Sequence, residues 1–384
     1  MRRIAVILFC WLFLTGLLPA QQAFVCEGQF FLTLTNDAQS GLVEVGIDPD
    51  DLSVTFDPLF PALGDYINAI GYSSTEHLIY GVNMTTQELI RIDGVGQVTV
   101  LADLPMNSNY LYPAGDISPD GRYLWISGGT GAALTGKDKE LIRVDLATPG
   151  YPATVFPIGG VEVRMLDLAF DPLTGILYGF DAYQARLVVI DPTTAVVSTP
   201  FPSAWGVTST VGSLFFDAFG RLFGYGNDGM GTQNTLFFID KLTGQVVPQG
   251  IGPAASNTDA CSCPYTVALS KAAMPRQVYP CEEIRYTYYL ANGAGYDQQG
   301  LRLRDTFPAG FEVVEIVHQP PGGSWQSSLG TELVDLVDFS LHPGIDSLVL
   351  QVRVPPGAEG AYPTQAHLTG LPPVLGLERF SDDP

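Results

Sequence analysis

The feature that most constrains the fold is a repeat of short strands that runs through the first two thirds of the chain. The unit is clearest between Leu168 and Thr199, where four apolar stretches are separated by turns rich in Asp, Pro and Gly. Such strands are typical of antiparallel β structure joined by hairpins. An Asp follows the third strand of each unit, at intervals of 45 to 52 residues: Asp48, Asp93, Asp145, Asp191 and Asp240. A period of about 40 to 50 residues with four strands per unit predicts an all-β protein that begins with a five-bladed β-propeller.

Two roles are open for the recurring Asp. The five carboxylates could form a ring of ligands around the central channel, or each could cap its own hairpin by accepting backbone N–H groups two residues further on. We favour capping, because each Asp stands at the start of a turn, where this residue normally makes such a bond.

The two ends of the repeat region predict how the propeller closes. Phe24 to Cys26 is too short to supply a full first strand before the strand at Gln29 to Thr35, whereas Asn257 to Cys263 lies where the other units place their first strand. We therefore expect the end of the repeat region to complete the first blade, within a propeller that spans residues 23–263.

Residues 1–20 have the pattern of a secretory signal peptide. Arg2 and Arg3 precede an apolar run from Ile4 to Leu18, and Pro19 and Ala20 precede the predicted cleavage site. The run is too short for a membrane-spanning helix once its basic start is counted. The sequence predicts an exported protein, extracellular or at the cell surface, with no membrane insertion.

The sequence contains 40 acidic and 18 basic side chains, which gives a formal net charge of −22. A charge of this sign repels phosphates, so it argues against nucleic acid and anionic membranes as partners. It is compatible with bound calcium or with an acidic surface that only favours solubility, and no other cofactor is predicted.

Four cysteines remain once the signal peptide is removed, and an even number in an oxidising compartment favours two disulfides. Our hypothesis pairs Cys26 with Cys261, which would close the propeller, and Cys263 with Cys281, which would tie down the start of the next domain. The alternative is a metal site at Cys261 and Cys263, although no histidine lies nearby in the sequence.

The pattern changes after residue 263, and residues 264–384 are predicted to form a second all-β domain. Six strands are expected, at Tyr265–Ser270, Glu283–Asn292, Leu301–Thr306, Phe311–Val317, Glu332–Ser340 and Asp346–Val354. Apolar residues alternate along the second of them, which is typical of a strand with one buried face in a β-sandwich. The tail from Leu368 to Pro384 ends where another strand or module is expected, so we predict either a truncated chain or the beginning of a linker.

Two segments of this second domain resemble a known family. Val278 to Tyr288, followed by Asn292 and then by Leu301 to Phe311 with its Asp-Thr-Phe-Pro-Ala-Gly run, is similar to the Ig-like (DUF11-like) repeat domain of bacterial surface proteins. Cys281 stands where that family has Gly. The preceding propeller resembles an uncharacterised propeller of exported Bacteroidetes proteins. The resemblance implies an exported, surface-displayed protein and brings no catalytic residues with it.

No stretch of the sequence has the spacing of a known catalytic site. The four histidines are isolated, and no serine lies in a Gly-x-Ser-x-Gly turn. Asn68, Asp116 and Asp167, together with Ser213, lie at the start of predicted first strands and could bind a metal in the channel; packing and hairpin capping are the alternative. Asp48 to Asp51 is a second candidate for calcium, although it lacks the Asp-x-Asp-x-Asp-Gly spacing.

Aromatic side chains in the loops between blades are candidates for a ligand-binding face. Trp205, Tyr110 and Tyr183 are the residues we select, because Tyr and Trp at a propeller face suit flat ligands such as sugars or a protein strand. The alternative for most of them is packing between blades.

We predict a monomeric, non-catalytic binding or display protein whose partner is an extracellular protein or a glycan. In this interpretation the propeller is the binding platform and the Ig-like domain is a spacer. Two alternatives stay open: a metal-dependent propeller hydrolase of the lactonase type, and a periplasmic sensing or assembly protein.

Overall fold

A computed structural model describes residues 21–25, 28–36, 39–47, 53–131, 136–201, 210–217, 219–227, 234–263, 267–293, 297–372, 375 and 377–381. Within these residues the chain is all-β, in agreement with the predicted class, and contains no α-helix. Accordingly, the described part of the chain has no helix of the length and apolarity that crossing a membrane would need.

The first part of the chain supplies twenty-one strands among the described residues. They are β1 Phe30–Asn36, β2 Gln39–Ile47, β3 Val54–Phe60, β4 Ile67–Ser73, β5 Leu78–Asn83, β6 Glu88–Ile92, β7 Val98–Asp103, β8 Leu111–Ile117, β9 Tyr123–Thr130, β10 Lys137–Asp145, β11 Ala153–Pro157, β12 Gly159–Gly160, β13 Met165–Phe170, β14 Leu177–Asp181, β15 Arg186–Asp191, β16 Val196–Ser198, β17 Thr210–Phe216, β18 Leu222–Asn227, β19 Asn234–Ile239, β20 Val246–Gly252 and β21 Asn257–Ser262.

These strands form small sheets that follow the sequence repeat. Their orders are β21-β1-β2-β3, β4-β5-β6-β7, β8-β9-β10-β11, β13-β14-β15-β16-β12 and β17-β18-β19-β20. The first strand of each sheet contacts the first strand of the next, in the closed order β21, β4, β8, β13, β17 and back to β21. The arrangement is propeller-like.

The apolar core of this ring lies between neighbouring sheets. Five clusters of buried side chains each combine residues of two adjacent sheets, such as Phe31 with Tyr72, or Phe30 with Phe215 across the closing pair. Because every sheet buries both faces in this way, its strands read as nearly continuous apolar runs; β4, β5, β13 and β14 are buried along their whole lengths.

The predicted closure is confirmed. Strand β21 lies antiparallel to β1, with Phe31 opposite Cys261 and Thr35 opposite Asn257, and so occupies the first-strand position of the first sheet. The hydroxyl of Thr33 also donates to the carbonyl oxygen of Asp259, which joins residues 226 positions apart in the sequence.

The predicted hairpin caps are confirmed wherever the structure describes them. The Oδ1 atoms of Asp93, Asp145, Asp191 and Asp240 each accept the backbone N–H of the residue two positions further on, over 2.8 to 3.1 Å. Asp48 and the calcium candidate Asp48 to Asp51 lie outside the described residues. The recurring Asp is therefore a turn residue in these four repeats.

The predicted disulfide pairing is wrong. Cys261 and Cys281 both carry free thiols, so neither the link from Cys26 to Cys261 nor the link from Cys263 to Cys281 is formed. Cys261 points into the apolar cluster that contains Phe24 and Tyr72, while Cys281 is exposed in the second unit. Cys263 is disulfide-bonded, and Cys26 lies outside the described residues.

The second part of the chain supplies nine strands among the described residues. They are β22 Val267–Met274, β23 Glu283–Asn292, β24 Gln298–Thr306, β25 Glu312–His318, β26 Ser324–Trp325, β27 Leu333–Leu341, β28 Gly344–Arg353, β29 His367–Thr369 and β30 Glu378–Phe380. They form two sheets, β22-β23-β28-β25 and β26-β27-β24-β29-β30. All six predicted strands are present, and two further strands, β29 and β30, lie in the tail after residue 366.

The two sheets of the second unit share one apolar core, which contains only residues between 267 and 375. The predicted alternation on β23 is confirmed, since Ile284, Tyr286, Tyr288 and Leu290 are all buried. Cys281, which stands where the similar family has Gly, has a φ of 72°. This left-handed conformation is the one in which Gly is favoured.

Candidate functional site

Three aspartates tie the first strands of neighbouring sheets together around the centre of the ring. The Oδ2 atom of Asp259 on β21 accepts the N–H of Ile70 on β4 over 2.6 Å. In the same way Asp116 on β8 accepts from Phe170 on β13 over 2.7 Å, and Asp167 on β13 accepts from Leu214 on β17 over 2.5 Å. The Oδ1 atom of each carboxyl accepts the N–H of the next residue in the chain, over 2.6 to 3.0 Å.

The environment of these carboxyls favours their protonated form. Asp167 and Asp259 are fully buried, and burial raises the pKa of both well above the ordinary value. The two side chains also hydrogen-bond each other, an arrangement that requires a shared proton. Burial likewise raises the pKa of Asp116 from 3.8 to about 7, against the opposing effect of its two backbone hydrogen bonds.

Asp116 and Asp167 have a structural role in this arrangement, and their role as metal ligands stays a prediction. Both oxygens of each carboxyl accept a backbone N–H group. No three His, Cys, Asp or Glu side chains within the described ranges are arranged to hold a metal ion. Asp259 belongs to the same set and was missed, although it lies in the segment whose register matches the other first strands.

A cavity of about 300 Å³ opens at one end of the ring axis, next to these carboxyls. Asn68, Leu166 and Thr258 line it. Leu166 precedes Asp167, Thr258 precedes Asp259, and Asn68 lies two residues before Ile70, which donates to Asp259. The cavity therefore lies directly above the buried carboxyls, on the axis where five sheets meet.

The polar wall of the cavity is made of amide and hydroxyl side chains: Asn68, Asn227, Asn234, Ser256, Asn257 and Thr258. Pro113 and Leu166 contribute an apolar part of the wall. None of the lining residues carries an ionisable side chain. The site therefore offers uncharged groups that can both donate and accept hydrogen bonds.

Asn68 is the predicted site residue that the structure places in this cavity. Its side chain is only 3% exposed, and its Oδ1 atom has no hydrogen-bond partner among the described residues. Its Nδ2 atom lies 3.5 Å from the hydroxyl oxygen of Tyr66, a distance at which a hydrogen bond is weak. A buried acceptor without a partner costs roughly 1–3 kcal/mol, and among the described residues that line the cavity only Asn68 has such an atom.

The aromatic candidates have different positions. Tyr183 is 67% exposed and follows β14, whose last residue Asp181 lies opposite Met165 at the start of β13, on the face where the cavity opens. Tyr110 is half-buried and packs against Tyr112, with ring centroids 6.4 Å apart. Trp205 lies outside the described residues. Only Tyr183 is thus placed as an exposed aromatic of that face.

A larger cavity of about 580 Å³ lies in the second unit and is lined by Tyr286, Phe311, Tyr362 and Arg276 among others. Its walls are mainly apolar, and no lining side chain has a buried polar atom without a partner. It has no feature comparable to the unpaired oxygen of Asn68.

A family model described as a repeat of unknown function (DUF6923) matches residues 30–265, which include all the strands of the ring. The chain belongs to the DUF6923 repeat family. The match ends where the second unit begins, so the family corresponds to the propeller-like ring. No curated protein matches the sequence significantly.

Several solved structures are similar to this DUF6923 chain at low identity. A hydrazine synthase of Kuenenia stuttgartiensis is 16% identical, with 58% of this chain and 55% of that chain covered and a TM-score of 0.32. Virginiamycin B lyase from Staphylococcus aureus is 11% identical, with 70% and 79% covered and a TM-score of 0.35. A nidogen/laminin complex gives 11% identity, 61% and 98% coverage and a TM-score of 0.39. This chain thus spans about half the length of the first of these proteins.

Proposed function

We propose that this protein is an exported, non-catalytic binding protein that uses a five-bladed propeller, residues 23–263, as its binding platform. In this proposal residues 264–384 form an Ig-like sandwich that serves as a spacer, and the partner is an extracellular protein or a glycan. The observation that carries the proposal is the axial cavity, whose wall is polar and uncharged and includes Asn68.

The chemistry of the ring supports binding in preference to catalysis. A general acid or base must be able to exchange its proton with a substrate. Asp116, Asp167 and Asp259 instead accept backbone N–H groups with both oxygens, and none of the three lines the cavity. They therefore support a platform held in one shape, and no specific observation favours the metal-dependent hydrolase.

Protease shaving of intact producing cells tests the proposed location. Peptides of both units should be released from the cell surface or found in the medium, and mass spectrometry identifies them. Complete protection of the protein until the envelope is broken would contradict surface display and would favour a periplasmic role.

A second experiment separates binding from hydrolysis. The purified chain is assayed on lactones and esters with and without calcium, and after chelation. We expect no turnover and an unchanged thermal midpoint on chelation, with Asp167→Asn as a comparison variant. Metal-dependent turnover that Asp167→Asn abolishes would replace our proposal with the hydrolase.

A further inference from the structure

We infer that the axial cavity binds an uncharged, polyhydroxylated ligand, namely a neutral sugar residue at the end of a glycan. This inference rests on the proposed binding function and specifies its ligand. It is drawn from the donor and acceptor set of the wall, from the carboxyls beneath it and from the dimensions of the cavity.

The wall matches hydroxyl groups in particular. Four Asn amides and the hydroxyls of Ser256 and Thr258 surround one small space, and each of these groups can donate as well as accept a hydrogen bond. Sugar hydroxyls have the same double capacity, so a neutral sugar can pair with such a wall whichever way each amide is turned. Asn68, the lining residue with an unpaired side-chain atom, belongs to this wall.

The cavity and the carboxyls beneath it offer no charge that would pair with a charged ligand. Asp167 and Asp259 directly follow the lining residues Leu166 and Thr258 and are fully buried. An anionic ligand would lose its hydration without gaining a positive partner, because no lining residue carries an ionisable side chain, and burying an unpaired charge is costly. A cation finds little attraction, because Asp167 and Asp259 hydrogen-bond each other through a shared proton and both oxygens of each also accept N–H groups.

The size of the cavity favours one terminal residue of a larger ligand. Its volume of about 300 Å³ is at the lower end of the range for small-molecule sites, roughly 300–1,000 Å³. The exposed ring of Tyr183 lies on the same face, where it can cover the apolar side of a following sugar ring. An extended peptide would need a groove along a sheet edge instead.

The test measures binding of the full purified chain to neutral methyl glycosides and short oligosaccharides by titration calorimetry. Each neutral sugar is paired with the corresponding uronic acid, which differs only by a carboxylate. We expect at least one neutral sugar to bind and its uronic acid to bind at least tenfold more weakly. Equal or tighter binding of the uronic acid would overturn the inference.

Two variants in the cavity wall and one control outside it test the location of the site. Asn68→Leu removes an amide group from the wall and should weaken binding about tenfold, the equivalent of one buried hydrogen bond. Asn257→Ala changes an exposed lining residue, so it should weaken binding without affecting folding if Asn68→Leu proves unstable. Asn109→Leu is the matched control, since Asn109 is exposed and lies outside the cavity wall. Unchanged affinity in both Asn68→Leu and Asn257→Ala would refute the site.

The remaining outcomes distinguish this inference from the proposed function. If no neutral sugar binds but an extracellular protein or peptide does, the sugar inference falls and the binding function stands. If the chain cleaves the oligosaccharides, both fall, because the protein is then an enzyme.

Discussion

The stability of the ring should fall as the pH rises through neutrality, and Asp116 provides a direct test. Burial raises the pKa of this carboxyl from 3.8 to about 7. The folded protein therefore holds a proton that the unfolded chain releases, and the free energy of unfolding decreases between about pH 4 and about pH 7. The stabilisation is complete below the unfolded pKa and is lost once the folded pKa has been passed.

The magnitude follows from the same two pKa values. Full linkage would remove roughly 2.5 kcal/mol between about pH 5 and about pH 8. Asp116 is half-buried, so part of this difference is screened by solvent, and we expect roughly 1–2 kcal/mol. Burial also raises the pKa of Asp138, to about 6, so this carboxyl lowers stability in the same direction as the pH rises. Both the natural protein and the Asp116 variant contain Asp138, so its effect cancels when the two are compared.

Asp116→Asn removes the titration while keeping the shape of the side chain. The NH₂ group of the new amide faces one of the two backbone N–H groups that donate to Asp116, that of Ile117 or that of Phe170. Two donors then face each other, so the free energy of unfolding of the variant at low pH should be lower by about 1–3 kcal/mol. The difference in free energy of unfolding between the variant and the natural protein should decrease by roughly 1–2 kcal/mol when the pH is raised to about 8.

Urea unfolding at a series of pH values, followed by circular dichroism, measures both proteins. Asp57→Asn, a change at an exposed residue of the outer strand β3, is the control and should follow the natural protein at every pH. Parallel stability curves for Asp116→Asn and the natural protein would refute the proposed linkage.

Three further predictions concern the thiols, the buried ion pair and the closing strand. In the native protein a maleimide should label Cys281 and spare Cys261 until urea is added; early labelling of Cys261 would contradict its burial. Because Cys281 has a φ of 72°, Cys281→Gly should raise the free energy of unfolding by up to about 1 kcal/mol. Lys271 Nζ lies 2.9 Å from Asp305 Oδ2, and both side chains are fully buried. Lys271→Met should therefore lower the free energy of unfolding in urea by about 3–5 kcal/mol, and adding Asp305→Leu should recover most of this loss. An equal loss in the single and double variants would mean that packing dominates. Ala260→Pro removes the backbone N–H that donates to Asp259 Oδ1 and should lower the stability of the ring by about 1–3 kcal/mol. The comparison is Asn109→Leu, whose thermal midpoint should stay at that of the natural protein.

The repeat architecture could be predicted from the sequence because its signals are local. A turn Asp such as Asp93 or Asp240 makes its bonds within its own hairpin, so a single stretch of sequence contains both partners. The position of β21 was also predictable, because the first repeat lacks a first strand and the segment from Asn257 has the spacing of one.

The role of the axial carboxyls was not predictable, because each partner lies in a different repeat. Asp116 and Phe170 are 54 positions apart, and Asp259 and Ile70 are 189 apart. The sequence could indicate that Asp116 and Asp167 lie near the axis, but only the packing of the first strands shows which N–H groups they face. Asn227, Asn234 and Asn257 were missed for the same reason, since nothing in their local pattern separates a cavity wall from an ordinary turn.

The pairing of β21 with β1 has a consequence for how the chain folds. Strand β1 emerges early in synthesis and exposes an unpaired edge until a segment more than two hundred residues later arrives. Contacts so distant in sequence form slowly, and open strand edges promote association with other chains. We therefore expect newly made protein to depend on chaperones until residue 262 is available, and chains shortened before β21 to aggregate instead of forming a smaller ring.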